Sequence, residues 1–330
     1  MKINWNDEYV IDSVIGNKIK FYEIKRRIFK DGYHYYLVLV LDGKAPKKVR
    51  KNYEKGTTGI DLGVSSVACV SDHKIILEEL APKSKEYEKL IRKLQSKMER
   101  SLRLNNPNNY SSNGVAKKGI HTWIKTKHYK YLQRQYNTLC RAKTEYIANK
   151  HKELINNILD YSNKIIIEPM NYRSLARCSK NMERSDKTTD IIQKDGSTKE
   201  VYKYKKKKRY GKSIWLRSPG LFQTILKQKA IENSIPLFEV NIIKYKASQY
   251  HHDTGKYVKA KLSERSKIIN GYFVQRDLYS AFIIKHSNEN LETPNQDECN
   301  ADFANFVSMQ EQTICEMKSK GISFKQCFGF

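Results

Sequence analysis

"TTGIDLGVSSVACVSDHKIILEEL" (residues 57–80) reads as three short runs of apolar and β-branched residues parted by turn residues. Leu-Gly closes the first run, and Ser-Asp-His-Lys separates the second from the third. Runs this short and this closely spaced predict an antiparallel meander. One carboxylate, Asp61, interrupts the first run. A turn, a helix cap, an ion pair or a metal ligand would each account for it, and the local sequence leaves these open.

Upstream, "KIKFYEIKRRIFKDGYHYYLVLVL" (18–41) holds two strand-like runs joined at Lys-Asp-Gly, a hairpin signal, and residues 42–57 form a basic linker. Downstream, apolar residues at 87, 90, 91, 94, 98 and 102 recur along one helix face. A second helix spans Tyr129 to Leu159 with the same kind of stripe. "NNPNNYSSNG" (105–114) is the loop of this antiparallel helix pair. "NKIIIEPM" (163–170) is a buried-type strand ending in Glu168, and the Lys-, Asp- and Ser-rich stretch of roughly 178–213 reads as mobile. A turn and helix (217–235), a strand (236–243) and a helix carrying Asp277 (within 272–286) follow. The tail, 287–330, ends in one more amphipathic helix. This order is an α/β mixture and not the regular alternation of a doubly wound sheet.

The chain has 330 residues, 62 Lys and Arg against 35 Asp and Glu, and a formal net charge of +27. Such a balance predicts a polyanionic partner, because each cation that neutralises a phosphate releases condensed counterions. No apolar run reaches the roughly 18 residues that cross a bilayer, so no membrane partner is expected. The N-terminus lacks the basic-then-apolar order of a secretory signal, and the expected location is cytoplasmic, associated with the nucleoid. Six cysteines without a CxxC pair read as reduced thiols. Many of the 22 tyrosines stand beside basic residues, as in "YKYLQRQY" (129–136) and "VYKYKKKKRYGK" (201–212). That interleaving suits single strands, whose bases stack on rings while cations follow the phosphates. Lys203, Lys205, Lys206, Lys207, Lys208 and Arg209 are the candidate nucleic-acid-binding run, with a solvated loop as the equal alternative.

Three acids sit at strand or helix junctions: Asp61, Glu168 and Asp277. Mg²⁺ prefers carboxylates and water, and two ions about 3.5–4 Å apart can stabilise both the attacking and the leaving oxygen of a phosphodiester. Spacing alone does not bring the three together.

"GIDLGVSSVACVSD" (59–72), "KIIIEPMNYRSLARC" (164–178), "SPGLFQTILKQKA" (218–230) and "QRDLYSAF" (275–282), in this order, resemble the transposon-encoded TnpB (OrfB-type) family. They also resemble the RuvC nuclease domains of type V CRISPR effectors. The resemblance covers roughly residues 18–286. It implies an RNase H-like (RuvC) α/β domain over 57–286 with an inserted helical hairpin at about 83–160. A partial β-barrel (wedge) segment over 1–56 precedes it, and a C-terminal tail over 287–330 follows. It further implies an RNA-guided DNA endonuclease with two Mg²⁺ on Asp61, Glu168 and Asp277, and guide RNA, target DNA and a partner transposase as associates. Oligomeric state is left open.

Departures from the family pattern are specific. The four-cysteine zinc ribbon is missing from about 247–275, so zinc is not expected. His251 and His252, near the first missing pair, read as exposed histidines of a metal-free hairpin. About 58 residues precede the first RuvC-like strand, fewer than the family usually has. Gln275 and Tyr279 stand where the family more often has an acid and Asn, changing the surroundings of the last acid. The alternative reading is therefore a cleavage-deficient relative that binds RNA or DNA.

Overall fold

The computed structural model describes residues 8–29, 31–43, 53–119, 122–176, 184–193, 196–204, 210–259 and 264–322. In chain order its elements are α1 (Glu8–Ile15), β1 (Ile19–Ile28), β2 (Tyr33–Leu41), β3 (Gly56–Leu62), β4 (Ser66–Val70), β5 (Ile75–Glu79), α2 (Ser84–Asn105) and α3 (Lys127–Asp160). There follow β6 (Ser162–Ile167), α4 (Tyr172–Ala176), β7 (Arg184–Ile192), β8 (Thr198–Tyr204), α5 (Gly211–Arg217), α6 (Pro219–Glu232) and β9 (Leu237–Glu239). The last are α7 (Ile242–Tyr245), β10 (Tyr250–His251), β11 (Lys256–Tyr257), β12 (Ser266–Ile269), β13 (Tyr272–Gln275), α8 (Arg276–Lys285) and α9 (Gln296–Ser319). Two compact units result, Met1–Tyr53 with Lys83–Asn149 and Glu54–Pro82 with Lys150–Phe330.

In the first unit β1 and β2 form the antiparallel hairpin expected at Lys-Asp-Gly. Helices α2 and α3 run antiparallel, as the series of contacts along them requires. The Lys83 N–H donates to the Tyr146 hydroxyl at 3.1 Å, Lys143 Nζ meets Glu88 at 3.2 Å, and Gln95 donates to Tyr136 at 3.5 Å. Burial works against the Glu88 carboxylate, but hydrogen bonds from Arg92 and Lys143 outweigh it and hold its pKa below the usual value. The hairpin is tied to α3 by Arg141, which donates to the Ile28 carbonyl at 2.8 Å and lies 4.6 Å above the Phe29 ring.

The second unit is built on a five-stranded mixed sheet of order β5-β4-β3-β6-β9. Strands β3, β4 and β5 form the antiparallel meander read from residues 57–80, while β6 and β9 join parallel to β3 and to each other. Parallel neighbours need long crossovers, and here α2 and α3 lie between β5 and β6, with α6 between β6 and β9. Successive side chains of a strand point to opposite faces. Ile60, Leu62, Val67, Cys69, Ile165 and Ile167 therefore pack on one face with the end of α3 and with α6. Ala68, Val70, Leu77 and Ile166 pack on the other with α8 and α9. Helix α9, within the segment set apart as a tail in the sequence reading, thus joins the core through Cys299, Phe303, Phe306 and Val307.

Within the stretch read from composition as mobile, β7 and β8 pair as an antiparallel hairpin. Thr, Ile, Val and Tyr around the turn at Gly196, where φ is +86°, supply strand propensity that the charged residues mask.

An ionic staple fixes α8. Lys285, only 4 % exposed at its side chain, meets Asp72 at 2.7 Å and Asp302 of α9 at 2.6 Å, and His286 Nε2 meets Asp302 at 3.2 Å. Burial alone would raise the Asp302 pKa; hydrogen bonds from His286, Lys285 and Asn305 reverse this and hold it well below the ordinary value of 3.8. A depressed carboxyl contributes stability that is present above the unfolded-state pKa and is lost as the pH falls through the folded one. Asp302→Asn is expected to lower stability at pH 7 by on the order of 2 kcal/mol. The gap to the unsubstituted protein should begin to narrow as the pH falls below about 4 and keep narrowing toward the lower, folded-state value. Urea unfolding across that range measures both.

Candidate functional site

Asp61 lies two residues beyond Gly59 on β3, so both face α8. The approach of that helix is close: a Cβ on Gly59 would stand 2.1 Å from the Ala281 carbonyl oxygen and 2.4 Å from the Lys285 nitrogen. Asp277 is one helical turn before Ala281, toward the end of β3 that carries Asp61. On the other side, Ile60 pairs with Ile167 in parallel register and the Glu168 N–H donates to the Ile60 carbonyl at 3.3 Å, setting Glu168 beside Asp61. Tyr172 donates its hydroxyl to the Leu62 carbonyl at 2.8 Å, holding the chain after Glu168 against the end of β3. Sheet register and helix packing thus bring the three acids to one face, at the C-terminal ends of two parallel strands.

The electrostatics follow from that crowding. Burial pushes the Asp61 pKa well above 3.8, and the Asp277 and Glu168 charges push it further in the same direction, against a smaller opposing effect of Arg276. Burial also raises the Glu168 carboxyl. Among the described residues, no hydrogen bond reaches the Asp61 or Glu168 carboxylate. Asp277 is differently placed. Arg276 donates to its Oδ1 from Nε at 3.2 Å and from Nη2 at 3.1 Å, and Arg265 Nη1 lies 3.6 Å from Oδ2. Asp61, Glu168 and Asp277 are the residues able to hold a cation here. As the side chains stand, no three His, Cys, Asp or Glu groups among the described residues are drawn together closely enough to enclose a metal ion.

Three further residues shape this site, and of these the sequence reading singled out Gln275 alone. Gln275 is the N-cap of α8, its side chain accepting from the Leu278 N–H at 2.6 Å, and its own N–H donates to Gln310 Oε1 of α9 at 2.8 Å. Asp277 therefore sits in a capped first turn, where the helix dipole favours a negative charge. Gln310 also donates to the Phe273 carbonyl at 3.0 Å, so α9 positions the helix that carries the third acid. Arg265 is the other residue not singled out by sequence.

His251 and His252 belong to the short β10/β11 hairpin, but His252 is buried, contrary to the exposed position expected of it. Its Nδ1 is 2.8 Å from the Tyr279 hydroxyl, its backbone N–H donates to the same oxygen at 3.1 Å, and its ring centroid lies 4.6 Å from that of Phe303. The aromatic side chains of α8 and α9 draw the imidazole inward, and burial lowers its pKa. Lys203 is exposed on β8, whereas Lys205, Lys206, Lys207, Lys208 and Arg209 lie outside the described residues. No helix among the described residues is long and apolar enough to cross a membrane. Compared with models of known protein families and with curated protein sequences, the chain matches none.

Proposed function

We propose that the chain is a metal-dependent nuclease of the TnpB kind, guided by RNA and hydrolysing DNA phosphodiesters with two Mg²⁺ ions. The observation that carries the reading is the gathering of Asp61, Glu168 and Asp277 on the α8 face of the sheet, with the Asp61 pKa held high by burial and by its two neighbours. Three meander strands followed by two parallel ones support an RNase H-like (RuvC) description of the second unit, as does the helical pair inserted between β5 and β6.

The donor set fits hard divalent cations. It consists of carboxylates alone, two of them without a hydrogen bond among the described residues, and their mutual repulsion falls when positive charge is added. Asp61, Glu168 and Asp277 would hold the ions, whose chemistry is to lower the pKa of water and to stabilise the leaving oxygen. The chain itself supplies alignment: β3 and β6 fix two carboxylates in register, and the capped α8 presents the third. The net charge of +27 favours a phosphate backbone as the partner. The test is Mg²⁺-dependent nicking of a plasmid carrying the target of whatever RNA copurifies. Glu168→Gln is expected to lower the rate at least about a hundredfold, the scale on which removing a group that stabilises developing charge acts. Equal rates would remove Glu168 from the site.

A second reading, binding without cutting, is favoured by the two arginines on Asp277, which compete with any cation. Because Arg265 is partly exposed, its pair with Asp277 is worth about 1 kcal/mol at most. Arg265→Ala is expected to tighten Mn²⁺ binding about two- to fivefold, read by the electron spin resonance of free Mn²⁺. No change would mean that the arginines do not hold the third acid away from metal.

A further inference from the structure

Immediately after Glu168 the chain forms one wall of an open cleft of about 490 Å³. Pro169, Met170 and Ile242 give it apolar sides, Gly220 near the start of α6 forms its floor, and Asn171 and Arg173 are the polar groups on its rim. The volume lies in the range of small-molecule sites, and mostly apolar walls with a few polar groups are what such sites present. The Asn171 side chain is already engaged, accepting from the Ser174 N–H at 3.0 Å, which leaves Arg173 as the charged group on the rim. Gly220 keeps the space open: a Cβ there would already stand 3.8 Å from the Tyr172 ring, and a longer side chain would fill the cleft.

We infer that this cleft receives one nucleoside of the strand being cut, the unit next to the phosphate held at the acids, with Arg173 on the adjoining phosphate. The inference rests on the nuclease reading. Three observations select this occupant. The cleft begins at the residue following Glu168, next in the chain to one of the three acids. Its lining is mostly apolar and includes a methionine thioether suited to an aromatic face. Its charged group is a guanidinium, which matches phosphate. Base contact made through apolar walls is tolerant of sequence, so the cleft sets where the strand lies and not which sequence is read.

The test uses the full chain, a fluorescent single-stranded DNA oligonucleotide and Ca²⁺, so that binding is read without cleavage. An abasic position is moved along the oligonucleotide one nucleotide at a time. At one position the unsubstituted protein is expected to lose about tenfold in affinity. Gly220→Leu should bind the intact strand about tenfold more weakly and show no further loss at that position. Arg173→Ala, at an exposed residue, should weaken binding severalfold and reduce its salt dependence while keeping the abasic response. Circular dichroism establishes that both variants are folded. An abasic response of the same size in Gly220→Leu as in the unsubstituted protein, or no responsive position at all, would overturn the inference. Absence of Mg²⁺-dependent cleavage with the abasic pattern intact would instead count against the nuclease reading and leave the cleft as a binding site.

Discussion

Gly59→Ala is expected to destabilise the second unit strongly, although it adds one methyl group. The new Cβ would meet the Ala281 carbonyl oxygen at 2.1 Å and the Lys285 nitrogen at 2.4 Å, and both are backbone atoms of α8. A flexible side chain could turn aside; a helix can only move as a body. Moving α8 away from β3 would separate Ile283 and Ile284 from the sheet and break the contacts of Lys285 with Asp72 and Asp302. A typical overpacked core loses about 1–3 kcal/mol. Here the displaced contacts bring the loss to about 4 kcal/mol or more, a large part of the roughly 5–15 kcal/mol that holds a domain together. Thermal unfolding followed by near-ultraviolet circular dichroism checks this. A variant that melts within 2 °C of the unsubstituted protein would mean that α8 does not lie against β3 at this point.

Asp61→Asn is expected to do the opposite to stability while removing activity. Asp61 is buried beside two other acids, and its pKa is raised by burial and by their charges. For a carboxyl raised on folding, the favourable contribution is complete below the unfolded-state value near 3.8 and is lost as the pH climbs through the folded value. Above the unfolded-state value, holding a titratable carboxyl at this place therefore costs stability, and the neutral amide removes that cost. A gain of about 1 kcal/mol, or roughly 2–4 °C in melting temperature, is expected at pH 7.5. The gain should vanish toward pH 4, where the native carboxyl carries its proton. Added Mg²⁺ should raise the melting temperature of the unsubstituted protein and leave the variant nearly unmoved, because only the former gains from binding. Nicking by the variant should fall at least about a thousandfold. A variant that still nicks at the original rate would remove Asp61 from the chemistry, whatever its melting temperature.

Local patterns made much of the second unit legible. The alternation in residues 57–80 carries the three-strand meander, since period-two hydrophobicity with short turns has few other solutions. The apolar stripes beginning at Tyr87 and Tyr129 carry α2 and α3 in the same way. The parallel joining of β6 to β3 is a different matter, because register between strands a hundred residues apart depends on packing that no single window contains. The acids illustrate both cases. Asp61 stands out as a charge inside an apolar run, Glu168 as one at the end of another and Asp277 as one in a helix; only the resemblance links the three. Arg265 and Gln310 act through partners distant in sequence, so nothing in their own neighbourhoods announces them. His252 shows the reverse error: polarity suggested exposure, but Tyr279 and Phe303 enclose it.

The link between Gln310 and the cap of α8 also sets a schedule. A chain emerging from the ribosome makes β3 early and α9 late. Until residue 310 is free, Gln275 lacks the partner that receives its N–H, and Lys285 lacks Asp302 until shortly before that. Asp61 and Glu168 can already be paired across β3 and β6, while the turn bearing Asp277 still waits for its brace. Synthesis thus delays the bracing of Asp277, and on the proposed reading the third acid is fully held only once α9 has docked.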